Sequence, residues 1–395
     1  MNKWNMVKLS DVFTLQMGKT PSRNNPDYWN GNHQWLSIAD FGMNGKYINK
    51  TKECITDAAV AESGIKATPH NTVVMSFKLS IGKTAITVED IFTNEAIMSF
   101  IDKGTYPIDV NYIYQLFSGK DWSKGTNKAV MGTTLNKATL SQITIPLPPI
   151  ETQHQIADNL EKVSKLIDLC NTILNKLDIL VKSRFVEMFG DVVLNPKKWV
   201  KELMGNYMTL LTDFSANGSY EYIDSNVVMY DEPNYALMVR TTDLEKNDFE
   251  NDVKYIDENA YNILSKSKLF GDEIIMNKIG SAGKVYLMPK LNRPASLGRN
   301  AFMFRFNSDI NIIFLYHLLT TEYGVVEIQQ HVRGAVTKTI TKNAARSIRI
   351  IVPPIKLQNQ FADFVSQIDK SKLVVKLILE KAETLKKSLM QDYFG

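Results

Sequence analysis

The chain is poor in cysteine, lacks a long apolar run and lacks any metal-ligand spacing, and each absence removes a class of protein. Its two cysteines, Cys54 and Cys170, lie far apart in 395 residues. Two distant thiols cannot frame a disulfide-stapled fold and suit a reducing compartment. No stretch reaches the about 18 consecutive apolar residues that a membrane helix needs. The opening MNKWNMVKLS has no apolar core of the signal-peptide kind. The expectation is a cytoplasmic protein without a membrane span. The five histidines (His33, His70, His154, His317, His331) are scattered, with no HExxH or Cys/His spacing, so no metal site is expected.

Catalytic patterns are equally thin. Gly82-Lys83-Thr84 resembles the end of a phosphate-binding loop, but Phe77 stands where that motif requires its first glycine. Asn25-Pro-Asp-Tyr28 has Asp27 where the amino-methyltransferase signature has proline, and no glycine-rich cofactor loop follows a strand nearby. Asp252-Val-Lys254 is a nuclease-like triplet of a kind common by chance, and Gly42 to Gly45 is a turn rather than a dinucleotide loop. No catalytic set emerges. The chain is expected to bind rather than to catalyse, with no cofactor of its own. A net charge of +4 permits nucleic-acid binding without requiring it.

What is present is a repeat. Residues 145–190 align without a gap on residues 350–395, at an offset of 205. Pro148-Pro149 matches Pro353-Pro354, Gln153 and Gln155 match Gln358 and Gln360, and Phe189-Gly190 matches Phe394-Gly395. The preceding segments repeat more loosely. Trp4 resembles Trp199, and Trp35 to Asp40 resembles Leu237 to Asp243. Val74-Met-Ser-Phe-Lys78 with Gly82-Lys83 resembles Ile275-Met-Asn-Lys278 with Gly283-Lys284, and Asn94 to Ala96 sits where Arg299 to Ala301 sits. Similar tails imply a shared task. Divergent first parts imply related but different ones.

Both tails carry a heptad seam. In the first, Ile156, Leu160, Val163, Ile167, Cys170, Leu174, Leu177, Val181 and Met188 alternate spacings of four and three, broken once by Arg184. In the second, Phe361, Val365, Ile368, Val375, Leu379, Ala382 and Leu389 keep the register, broken by Lys372 and Lys386. Those two lysines are expected to face solvent or a bound partner. Each tail predicts a helix of about 37 residues, roughly 55 Å at 1.5 Å per residue. A helix of that length needs a partner. The simplest partner is the other tail, packed antiparallel with pseudo-twofold symmetry; the alternative is two separate amphipathic helices, each on its own domain.

The rest is α+β. Strands are expected at 72–77, 84–88, 272–276 and 284–287, helices at 111–117 and 312–320, and turns at Asn30-Gly31, Asn44-Gly45 and Asn217-Gly218. Polar and basic residues cluster on the intervening loops. The first half offers Lys19, Thr20, Ser22, Arg23, Lys78, Lys83, Asn94, Lys124, Lys128 and Thr133. The second offers Arg240, Lys278, Lys284, Arg299, Asn300, Arg333 and Lys338. Lys and Arg supply phosphate affinity, and Arg, Asn and Gln can read base edges, so these residues are the candidate DNA contacts.

The doubled element Ile145-Pro-Leu-Pro-Pro149 leading into Gln153-His-Gln-Ile-Ala157, together with Leu9-Ser-Asp-Val12, Gly18-Lys-Thr-Pro-Ser22 and Tyr28-Trp29, resembles the DNA-specificity subunit of type I restriction–modification enzymes. The resemblance covers essentially the whole chain. It implies target-recognition domains at 1–148 and 191–353, joined by long antiparallel coiled-coil helices at 149–190 and 354–395. It implies that each domain reads one half of a bipartite, asymmetric site in double-stranded DNA, and that the helices set the spacer and dock two modification (methyltransferase) subunits. Restriction subunits would complete the complex, with S-adenosylmethionine, ATP and magnesium held by those partners. Ser267 to Gly271 and Leu297 to Asn300 stand where the first half has Ala67 to Asn71 and Phe92 to Glu95, so the half-sites are expected to differ. A module of a type IIB-like system, a coiled-coil scaffold that binds no DNA, and an enzyme in its own right are the other readings.

Overall fold

Tandem prolines start each long helix. Pro148-Pro149 and Pro353-Pro354 have no N–H and cannot extend the short strands Thr144–Pro146 and Arg349–Ile351 before them. The helices that follow run Ile150–Phe189 and Ile355–Phe394, 40 residues each. Both their starts and their ends keep the offset of 205 residues.

The repeated glutamines explain themselves here. Gln153 and Gln358 are completely buried. Gln153 donates from Nε2 to Pro148 O at 2.8 Å and accepts at Oε1 from Asp109 N at 3.0 Å. Gln358 donates to Pro353 O at 2.7 Å and accepts from Asn311 N at 2.8 Å. Asp109 and Asn311 are the N-caps of the helices Val110–Gly119 and Ile312–Leu319. One amide side chain thus locks a long helix to its domain by satisfying two backbone groups that burial would otherwise strand.

This computed structural model describes residues 4–78, 80–122 and 135–395, and the backbone alone of 128–129 and 132–133. They form two compact units, one of 1–172 with 376–395 and one of 173–375, so each long helix contributes to both. In the first unit, a five-stranded sheet has the order Phe13–Met17, Ile97–Asp102, Val73–Ser76, Thr84–Thr87, Tyr47–Ile48. In the second, Met208–Asp213, Ala301–Phe306, Ile274–Asn277 and Val285–Leu287 repeat the first four places of that order. Each unit adds a second sheet built around a parallel pair: Trp29–Leu36 with Phe92–Thr93, and Ala236–Val239 with Ala295–Leu297.

The strands Val73–Ser76 and Ile274–Asn277 are buried along their whole length. Successive side chains feed different cores. Val73 and Met75 join the core that holds the helices, and Val74 joins the one toward the second sheet; Ile274 and Met276 alternate with Ile275 in the same way. The matched glycines close matched hairpins. Gly82 (φ +89°) donates to Ser76 O, and Gly283 (φ +87°) to Asn277 O. An L side chain is strained at such φ. The Asn30-Gly31 turn is not formed. Both residues lie inside Trp29–Leu36, where the register to Glu53–Ile55 shifts and Asn30 takes φ +63°. Its left-handed preference serves a bulge within the strand.

Every seam position of both helices is buried or half-buried, including the three charged interruptions. In the second unit Phe185 and Phe189, near the end of the first helix, pack on Phe361, near the start of the second. In the first unit Leu160 shares a core with Leu389, Tyr393 and Phe394 from the far end of the second helix. Both pairings are antiparallel. Lys372 is less open to solvent than expected: its side chain is 21% exposed, and it donates to Asp178 of the first helix at 2.6 Å. A seam cation is tolerated because a carboxylate on the opposing helix meets it.

Candidate nucleic-acid interface

In the second unit, hydrogen bonds draw three candidate loops to one end of the sheet. Lys278 N donates to Asn300 O at 2.8 Å, Gly280 N to Lys338 O at 3.0 Å, and Ile340 N to Lys278 O at 3.0 Å. Arg333 and Thr339 exchange backbone bonds of 2.8 and 2.7 Å, which closes the loop between them. Gly334 takes φ +106°, and a Cβ there would lie 2.1 Å from Thr337 O, so the loop requires glycine. Its tip, Val336, is 97% exposed.

Beneath these loops sits Asp213, at the end of Met208–Asp213. It accepts from Lys278 Nζ at 2.7 Å and from Lys342 Nζ at 2.9 Å. Burial alone would push its carboxyl up, but the two lysine hydrogen bonds outweigh that and hold it below the usual range. Lys278 is therefore a tether between strands, with its side chain largely buried. In the first unit, register places Met17 where Asp213 stands: Met17 pairs with Met98 as Asp213 pairs with Phe302. Phe77, fully buried, replaces Lys278. Lys137, at the Lys342 position, is exposed at the start of its helix.

The other second-unit candidates divide into two groups. Arg240 clasps Asp243, with Nη2 to Oδ1 at 2.7 Å, and so braces the turn after its strand. Lys284 is paired with Glu245, and Arg299 with Asp224 at 2.8 Å. Arg333, Lys338 and Asn300 are exposed, and Arg333 donates to the backbone oxygens of Gln330 and Val332.

In the first unit the 18–23 loop is pinned by two indoles. Trp35 Nε1 donates to Lys19 O at 3.1 Å, and Trp29 Nε1 to Ser22 O at 3.2 Å. Arg23 stacks on Trp29 at 3.8 Å and gives both terminal nitrogens to Glu53. That bond raises the arginine's pKa and lowers the carboxylate's. Lys19 donates to Ser63 O, Thr20 to Glu95, and Asn94 accepts from Ala96 N at 3.0 Å. Ser22 and Lys83 are exposed, and Lys78 lies 5.3 Å from the Phe77 ring. Lys128 and Thr133 face each other in a two-residue backbone pairing. Lys124 lies outside the described residues.

Sequence reasoning missed Lys137 and Lys342, although the 205-residue offset reaches both. It also missed the acids, Asp213, Asp224 and Glu53. No pattern marks them, because their partners are 65, 75 and 30 residues away.

The long helices carry a second surface. Leu166, Leu169, Ile378 and Leu385 in the first unit, and Ile179, Leu180, Leu373 and Val374 in the second, are large apolar side chains left exposed outside the seam. Exposed Leu166 and Leu180 stand two heptads apart with half-buried Ile173 between them, and exposed Ile378 and Leu385 stand one heptad apart.

Among the described residues no group of His, Cys, Asp or Glu could hold a metal ion, and no helix is long and apolar enough to cross a membrane. The profile of the family described as type I restriction modification DNA specificity domain matches residues 1–179 and again 200–384. The MjaIX specificity subunit of a type I restriction enzyme from Methanocaldococcus jannaschii is 24% identical over 392 residues, covering 92% of this chain and 86% of that protein. The crystal structure of a type I restriction–modification S subunit from M. genitalium superposes with a TM-score of 0.58 at 14% identity, covering 100% of this chain and 97% of that one. A chain solved in work on complex assembly and conformational transition of the type I system gives 0.59 at 13%, covering 100% and 98%.

Proposed function

Because this chain belongs to the type I restriction–modification DNA-specificity family, we propose that each of its globular domains reads one half of a bipartite, asymmetric DNA site. The convergence of the 278–284, 297–300 and 333–339 loops at one sheet end carries this reading. Loops far apart in sequence meet there, with Arg333 and Lys338 exposed and without carboxylate partners among the described residues, and the first unit repeats its sheet order. Exposed Lys19, Lys83, Lys137, Arg333 and Lys338 anchor phosphates and fix register. Polar and arginine side chains on the same loops select bases. The exchange of buried Asp213 and largely buried Lys278 for Met17 and Phe77 supports the loops differently in the two units, in keeping with half-sites that differ.

The helices act as the ruler and the dock. Each is continuous from one unit into the other, and its exposed apolar residues receive a modification subunit. Neither domain need bind tightly alone, because the first contact raises the effective concentration of the second. S-adenosylmethionine, ATP and magnesium belong to the modification and restriction partners, and this chain contributes no catalytic group.

The test is made on the chain assembled with its modification subunits. Duplex binding that weakens steeply with salt is expected. Mapping of adenine methylation is expected to return two different half-sites with a fixed spacer. Inserting one heptad into each helix adds about 10 Å, which lengthens the spacer by about three base pairs at 3.4 Å each. Salt-insensitive binding would remove the DNA assignment, and an unchanged spacer would remove the ruler.

A further inference from the structure

Arg299 is oriented by three side chains and remains open to a fourth partner. Its guanidinium carbon lies 5.4 Å from the Phe214 ring centroid and 5.2 Å from that of Tyr220. Its Nη2 donates to Asp224 Oδ1 at 2.8 Å. The rings and the carboxylate restrict the side chain, and its planar fork of donors is one that a lysine could not match. The turn beneath is also fixed. Gly298 N donates to Val239 O at 2.7 Å, and Asn300 O accepts from Lys278 N at 2.8 Å. The side chain is nonetheless 41% exposed. A guanidinium has five N–H donors, and the bond to Asp224 uses one of them.

Two comparisons narrow what the open donors meet. Arg23, also stacked on aromatic rings, gives both terminal nitrogens to Glu53, so the end of its fork is closed and it orders its loop. Arg333 and Lys338, a short distance along the same surface, have no carboxylate partner among the described residues and suit phosphate. Asp224 makes Arg299 a poor phosphate anchor, since it cancels the charge and repels an anion. It does not disfavour a neutral pair of acceptors. Guanine presents that pair, O6 and N7, in the major groove.

We propose that Arg299, buttressed by Asp224 and flanked by the Phe214 and Tyr220 rings, reads one guanine in the half-site bound by the second unit, donating to its O6 and N7. This rests on the DNA-reading assignment above. In the complete complex with modification subunits, each base pair of the mapped half-site is changed in turn. At one G·C pair the wild type is expected to lose about 5- to 150-fold in affinity. Arg299→Ala and Arg299→Lys are expected to lose discrimination at that pair and keep it elsewhere. Replacing that guanine by 7-deazaguanine, which lacks the N7 acceptor, weakens the wild type and leaves Arg299→Ala unchanged. Asp224→Asn, which keeps the fold and the positive charge, reduces discrimination at the same pair without loss of overall affinity. Uniform weakening of Arg299→Lys at every base pair, with the motif unchanged, would overturn the proposal. A wild-type complex with no base preference in either half-site would instead overturn the assignment it rests on.

Discussion

His317 shows what one side chain owes to its surroundings. It lies edge-on to Phe361 at 5.3 Å, and burial first, then the charge of Lys372, push its pKa down to about 4. In the unfolded chain it titrates near 6.5. Between about pH 4 and 6.5 the unfolded state therefore binds more proton, so stability rises with pH across that window and is lost as pH falls through it. The expected difference is on the order of 2–3 kcal/mol. Denaturant unfolding of the second unit at pH 5 and pH 7.5 should show it in the wild type and much less in His317→Phe; equal pH dependence in the two would contradict this assignment. At this scale the sequence showed which loops were basic. It did not show which cations were already engaged. Arg240, Lys278 and Arg299 look alike in a list of basic residues, and only Asp243, Asp213 and Asp224 separate a brace, a tether and an oriented donor.

The elements were far more legible. Strands expected at 72–77 and 284–287 appear as Val73–Ser76 and Val285–Leu287, and the helix expected at 312–320 as Ile312–Leu319. Hydrophobic periodicity is a local signal, and burial follows it. The heptad seam held because its period is independent of the partner. What the period could not assign was the work of the polar repeats. Gln358→Leu leaves Asn311 N–H and Pro353 C=O buried without their partner. We expect a loss of about 1–3 kcal/mol for each stranded group, measured by denaturant unfolding. A change below about 0.5 kcal/mol, the scatter of ordinary surface substitutions, would show that the amide is not the lock.

At the scale of the molecule, the repeat does more than duplicate a domain. The end of the first helix sits in the second unit's core, where Phe189 packs on Phe314, and the end of the second helix returns to the first unit, where Phe394 packs on Tyr112. Removing residues 376–395 therefore strips Leu389, Met390, Tyr393 and Phe394 from the first unit. Hydrogen exchange should show protection falling in the Val73–Ser76 and Ile97–Asp102 strands and persisting in Ile274–Asn277 and Ala301–Phe306. Equal protection of both sheets after truncation would mean that the returning helix adds nothing to the first unit.

By itself the sequence determined that two related domains alternate with two long seamed helices, and that the loops of those domains are basic. Repeats, heptads and loop composition are written along the chain, so they survive without coordinates. The tertiary structure alone decided that residues 278, 300 and 338 meet at one sheet end, that Lys372 is paired inside the seam, and which of the loop cations remain free. Those outcomes depend on contacts between residues tens of positions apart, and no local pattern encodes the partner of a buried charge.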